Sequence, residues 1–91
     1  MLTIIKSSRF IKDLRVAKKR GFDLSLLEEV VDKLSRQETL DPKYHDHSLS
    51  REYHDFRECH IKPNWLLVYA IDDEELELFL FRIGTHSDLF A

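Results

Sequence analysis

Five histidines crowd into one half of the chain: His45, His47, His54, His60 and His86. Imidazole titrates near neutral pH, so two such rings can act as base and acid in a single step. Cleavage of RNA by its own 2′-hydroxyl needs those two groups and little else. A base removes the 2′-proton, an acid protonates the departing 5′-oxygen, and a cation stabilises the charge on the phosphorane. His60, His86 and Arg82, with Trp65 to stack a base, are a sufficient set. That chemistry requires no metal or cofactor, and none is expected. Blander uses compete with it. Aromatics at strand starts, such as Trp65, usually pack in a core. His45 and His54, taken singly, read as surface or capping residues. A metal site would draw on His45-x-His47 with His60 or His86. It is the weaker reading, because the chain has no cysteine pair, no His-Glu-x-x-His and no paired-carboxylate pattern.

These residues lie at the ends of three apolar-rich runs: Phe56 to Ile61, Trp65 to Ile71 and Leu76 to Ile83. The breaks between them, Lys62-Pro63-Asn64 and Asp72-Asp73-Glu74-Glu75, read as turns, so the runs read as an antiparallel three-stranded meander. In the third run Leu76, Leu78 and Leu80 face one way and Glu77, Phe79 and Phe81 the other. Ahead of the meander, Leu2 to Ile5 reads as a first strand. Ser7 or Ser8 caps a helix over about residues 8–20, with Phe10, Ile11, Leu14 and Ala17 on its apolar face and Gly21 as its stop. A second helix starts at the Ser25–Glu28 capping box or at Asp23, carries Leu26, Leu27, Val30, Val31 and Leu34, and ends near Gln37. Residues 38–52 form a polar connector bearing His45, Asp46, His47 and Arg51; connectors of that length are often functional. The order β-α-α-loop-β-β-β predicts an α+β domain over residues 1–91, with two antiparallel helices on a mainly antiparallel sheet. Periodicity does not place the first strand at an edge or in the middle.

A composition of 43% hydrophobic and 34% charged residues is that of an ordinary soluble domain. Cys59 is the one cysteine, so no internal disulfide forms and a reducing cytoplasm is the expected compartment. No run approaches the roughly 20 apolar residues of a membrane helix, and no signal peptide is evident. The net charge of -3 conceals an excess of three positive charges in residues 1–45 and of six negative charges in 46–91. Lys12, Arg15, Lys18, Lys19 and Arg20 cluster on the first helix. They make a candidate polyanion contact, against the plainer reading of a solvated helix face.

Three motifs in order carry a family resemblance: Asp46-His47-Ser48-Leu49, then the run Phe56-Arg57-Glu58-Cys59-His60-Ile61-Lys62-Pro63-Asn64-Trp65, then Arg82-Ile83-Gly84-Thr85-His86-Ser87-Asp88-Leu89-Phe90. With the helices ahead of them, they resemble the YafQ branch of the RelE toxin superfamily across essentially the whole chain. The resemblance implies a toxin of a type II toxin–antitoxin pair: an endoribonuclease that cuts mRNA in the ribosomal A site and so stops translation. It implies a cognate antitoxin as partner, contacts with ribosome and mRNA, and operator DNA reached only indirectly through the antitoxin. It assigns His47, His60, Arg82 and His86 to catalysis, with His86 as general acid and Arg82 on the phosphate. Trp65, Phe90 and position 64 would position RNA, and Arg57 would bind phosphate there or simply brace the sheet. Asn64 departs from the aspartate often found there, and an amide cannot take a proton; if that aspartate is the base in relatives, His60 or His47 serves here, or this chain is a weak nuclease. The acidic net charge is a second departure, since toxins of this kind are usually basic. Two other functions stay open: a toxin that acts on gyrase by protein contact, as relatives of ParE type do without the histidine set, and an inactive toxin kept as a corepressor.

Overall fold

Ser7 starts the first helix. Its hydroxyl accepts the Phe10 N–H at 2.9 Å and donates to the Phe81 carbonyl at 2.6 Å. The group that satisfies a helix end therefore also ties it to a strand 74 residues away. The structure is a computed structural model that describes residues 1–50 and 53–90; Arg51 of the connector lies outside the described residues. Helix α1 (Ser8–Lys19) buries Phe10 and Ala17. At its end Gly21, with φ of +80°, donates to the Lys18 carbonyl while Phe22 donates to that of Ala17, which is the paired closure a glycine permits. Helix α2 (Leu24–Ser35) uses Asp23 as its cap, the carboxylate accepting the Ser25 N–H at 3.0 Å. Of the two starts the sequence offered, the earlier one is used. It ends at Ser35 rather than near Gln37, because Gln37 takes a φ of +58° and turns the chain away.

Strands β1 (Thr3–Lys6), β2 (His47–Ser48), β3 (Arg57–Lys62), β4 (Trp65–Asp72) and β5 (Glu77–Gly84) make one sheet in the order β1-β5-β4-β3-β2. The expected meander is β3 to β5. The first strand lies at an edge and runs parallel to β5. Leu76 does not open the third run: it is exposed in the turn, with φ of +55°, and the strand begins at Glu77. Three elements were not foreseen. The connector holds a short 3₁₀ turn (Pro42–Tyr44) and β2, and the chain continues past β5 into helix α3 (His86–Phe90).

Between the α1–α2 layer and the sheet lies the core. Phe10, Leu27, Val30 and Leu34 meet Cys59, Leu67, Tyr69, Leu78, Leu80 and Ile83. Each such aliphatic or aromatic side chain contributes about 1.5–3 kcal/mol on burial. Along β5 the core face is Leu78 and Leu80, so strict alternation would send Arg82 inward after them. It does not go there. Tyr69 pairs with Leu80 and Val68 with Arg82, which leaves Phe81 as an extra residue in β5. The bulge hands the core position to Ile83 and keeps Arg82 out of it. No helix among the described residues is long and apolar enough to cross a membrane.

Candidate functional site

The bulge completes a row across the sheet. His47 on β2 pairs with Glu58 on β3, Glu58 with Val68 on β4, and Val68 with Arg82 on β5. Residues directly opposite one another in a ladder project to the same face; for His47, Glu58 and Val68 it is the one turned away from α1 and α2, while the Arg82 guanidinium, beside the bulge, pairs with Asp13 of α1. His60, two residues after Glu58 on β3, shares that face. Glu58 is buried, at 6% exposure, and its Oε1 lies 3.5 Å from His47 Nε2 and 3.6 Å from His60 Nε2. The second nitrogen of each ring meets a main-chain oxygen. His47 Nδ1 is 2.7 Å from the His45 carbonyl and His60 Nδ1 is 3.4 Å from that of Pro63. A carbonyl only accepts, so Nδ1 carries the proton in the neutral rings and Nε2 presents its lone pair to the site. The His45 ring stands edge-on to His60 at 5.6 Å. His45, His47 and His60 border a groove of about 760 Å³ that Tyr44 and Pro63 also line.

Arg82 is held from outside the sheet. Asp13 on α1 accepts from Arg82 Nε at 2.8 Å, from Nη2 at 3.1 Å and from the Ile83 N–H at 3.1 Å. Asp13 thus takes up a β5 backbone donor beyond the end of β1, and its hydrogen bond pushes the Arg82 guanidinium pKa further up. The cation stays charged throughout.

His86 opens α3, and its N–H reaches Asn64 Oδ1 at 3.3 Å. Residues 63 and 64 therefore serve both histidines, with the Pro63 carbonyl toward His60 and the Asn64 amide under His86. The Asn64 oxygen acts here as an acceptor, a task that needs no proton transfer. Phe90 lies 5.3 Å from the His86 ring and edge-on to Tyr53 at 6.2 Å. Asp88 anchors the helix from the other side. It accepts the Thr85 N–H at 2.9 Å and pairs with Arg20 at 2.7 Å. Arg20 first and the Thr85 amide second lower its carboxyl pKa to about 2.

The structure brings His47 and His60 together around Glu58, places Arg82 in their row, and sets His86 and Phe90 on α3. Three expected binding residues are otherwise engaged. Trp65 is 1% exposed and stacked on Phe22 at 4.8 Å; its ring belongs to the core and presents no face on which a base could stack. The Arg57 guanidinium holds Ser48 Oγ and Asp46. Arg20 is tied to Asp88, while Lys12, Arg15, Lys18 and Lys19 of that cluster are exposed. Sequence reasoning missed Glu58, Asp46 and Asp13. The spacing of Glu58 to His60 was the available signal, since i and i+2 share a face in a strand.

Known proteins share this sequence pattern and this fold. The family model for the bacterial toxin of type II toxin–antitoxin systems, YafQ, matches residues 2–91. The mRNA interferase toxin YafQ of Escherichia coli (strain B / BL21-DE3) is 34% identical over 86 residues, covering 93% of this chain and 91% of the relative. A metal-bound toxin from Helicobacter pylori superposes with a TM-score of 0.94 at 54% identity, over 99% of this chain and 100% of that one. The E. coli DinJ–YafQ complex includes a chain that superposes with a TM-score of 0.90 at 33% identity, each chain fully covered.

Proposed function

The chain belongs to the YafQ family of type II toxin–antitoxin toxins, and on that footing we propose that it is a ribosome-dependent endoribonuclease that cuts mRNA in the A site and is neutralised by a cognate antitoxin. The observation that carries this reading is the row His47–Glu58–Val68–Arg82 with His60 beside it. It sets two imidazoles on one face of the sheet and a fixed cation at the end of their row.

The reaction follows from those groups. The 2′-oxygen attacks the adjacent phosphorus, the P–O5′ bond breaks, and a 2′,3′-cyclic phosphate and a 5′-hydroxyl result. His60 or His47 takes the 2′-proton at Nε2, the nitrogen left unprotonated by the carbonyl at Nδ1. His86 returns a proton to the 5′-oxygen. Arg82, held by Asp13, faces the charge that develops on the non-bridging oxygens, and such preorganised cations carry much of the rate enhancement in phosphoryl chemistry. Phe90 supports the base beside the scissile bond. Lys12, Arg15, Lys18 and Lys19 meet ribosomal RNA, and operator DNA is reached through the antitoxin. Cleavage on ribosome complexes, compared with the same RNA free, tests the reading. Cutting only on ribosomes, unaffected by a chelator, is expected. Equal cutting of free RNA, or abolition by the chelator, would overturn the respective half.

A specific observation also favours a second activity, the binding of a transition-metal ion. Donor atoms of His47, Glu58 and His60 lie within 4.8 Å of one another, and Nδ1 of each ring is backed by a carbonyl, as metal-bound histidines usually are. The residues fit such an ion, and a relative has been solved metal-bound. An ion there would engage the same lone pairs that take the proton, so added zinc or copper should inhibit cleavage, with chelator restoring it. His60→Ala should lower metal affinity in calorimetry.

A further inference from the structure

We propose that Asp46 and Tyr69 are positioning residues for His47: through Arg57 they lock the segment from His45 to Ser48 so that the His47 ring keeps Nδ1 on the His45 carbonyl and Nε2 on the site. The inference rests on the reading of His47 as part of the cleavage machinery. His47 sits on β2, a strand of two residues at the sheet edge, and so short an edge strand does not fix a ring by itself. The structure supplies the fixing from the core. Tyr69, buried on β4, donates its phenol to Asp46 Oδ1 at 2.5 Å. Arg57 donates from Nη2 to Asp46 Oδ2 at 3.0 Å and from Nη1 to Ser48 Oγ at 2.8 Å. The residues on both sides of His47 are therefore held, and by the same guanidinium.

Two further features suit this role. Burial, then the hydrogen bond to Asp46, pushes the Tyr69 phenol pKa up, so it remains a donor at any working pH. His45 adopts a φ of +48°, a left-handed conformation unusual for a residue other than glycine. That turn aims its carbonyl at His47 Nδ1. A ring so held has one neutral tautomer, and the nitrogen facing Glu58 and His60 is the one free to take a proton. Nothing in this arrangement touches RNA; it acts through His47.

The test compares wild type with Tyr69→Phe, which removes one hydroxyl and leaves the aromatic ring, and Asp46→Asn, an isosteric change at a half-buried residue that keeps the fold if the first variant does not. Long-range ¹H–¹⁵N spectra, taken where the imidazole is neutral, report the His47 tautomer, and single-turnover cleavage on ribosome complexes reports kcat and KM. The expected result is a Nδ1–H tautomer in wild type, a mixed tautomer in both variants, and a fall in kcat of roughly tenfold or more with KM held. An unchanged tautomer in the folded variants overturns the proposal. A mixed tautomer with unchanged kcat overturns its link to the reaction. His47→Ala with full activity would sink the underlying reading of His47, a failure visible without either network variant.

Discussion

Asp13 and Arg82 depend on each other. Their side chains are 14% and 15% exposed, and Asp13 also serves the Ile83 N–H. Asp13→Ala leaves a largely covered cation and an amide donor without partners, which should cost about 1–3 kcal/mol of stability. Urea titration would read it as a lower midpoint with an unchanged slope, and cleavage should fall as well, because Arg82 is no longer fixed. A second prediction concerns Trp65. Trp65→Ala empties the stack on Phe22 and should destabilise by about 3–5 kcal/mol, while Trp65→Phe should keep cleavage per folded molecule near wild type, as expected of a core residue. At this scale the sequence disclosed the histidines and Arg82 because their types are scarce and their spacing matches a motif. Glu58, Asp46 and Asp13 were hidden. A carboxylate that will be a buried partner looks the same in a sequence as one that will be solvated, and only pairing across strands and helices tells them apart.

The order of the elements was legible because each depends on local chemistry: caps at Ser7 and Asp23, a stop at Gly21, apolar stripes on α1 and α2, and turns between β3, β4 and β5. What escaped was set by tertiary contact. Strand β2 has two residues and no pattern of its own, and it exists because Glu58 and Arg57 offer a ladder to His47 and Ser48. The bulge at Phe81 breaks the alternation from which facing was read, so Arg82 stays out of the core against the simple rule. Helix α3 is short, and it is pinned by Asn64, Arg20 and Asp88 rather than by an apolar stripe. Its anchoring should depend on pH. The folded Asp88 carboxyl has a pKa of about 2, below its ordinary 3.8, so the ionised form contributes stability above about pH 4. That contribution is lost as pH falls through 2. Amide exchange at Leu89 and Phe90 should accordingly stay slow down to pH 4 and quicken below it, and Asp88→Asn should quicken it at neutral pH.

Charge is divided across the whole molecule: a basic first half, which includes α1, and an acidic second half. Lys12, Arg15, Lys18 and Lys19 remain exposed, while Arg20 is tied to Asp88. If that helix meets ribosomal RNA, reversing Lys12 and Lys18 to glutamate should raise the KM for ribosome complexes with little change in kcat. It should also flatten the salt dependence by about one unit of slope per lost phosphate contact. A net charge of -3 was readable at once; which cations stay free to act was not, because that depends on ion pairs between residues some 70 positions apart. The central claim is that this sheet face cuts message on the ribosome with His86 as the proton donor. Primer extension on an mRNA under translation in a purified system, with wild type and folded His86→Ala in parallel, tests it most directly. Cuts at A-site codons that require ribosomes and vanish in the variant are predicted; equal cutting by His86→Ala, or none by folded wild type, would contradict it.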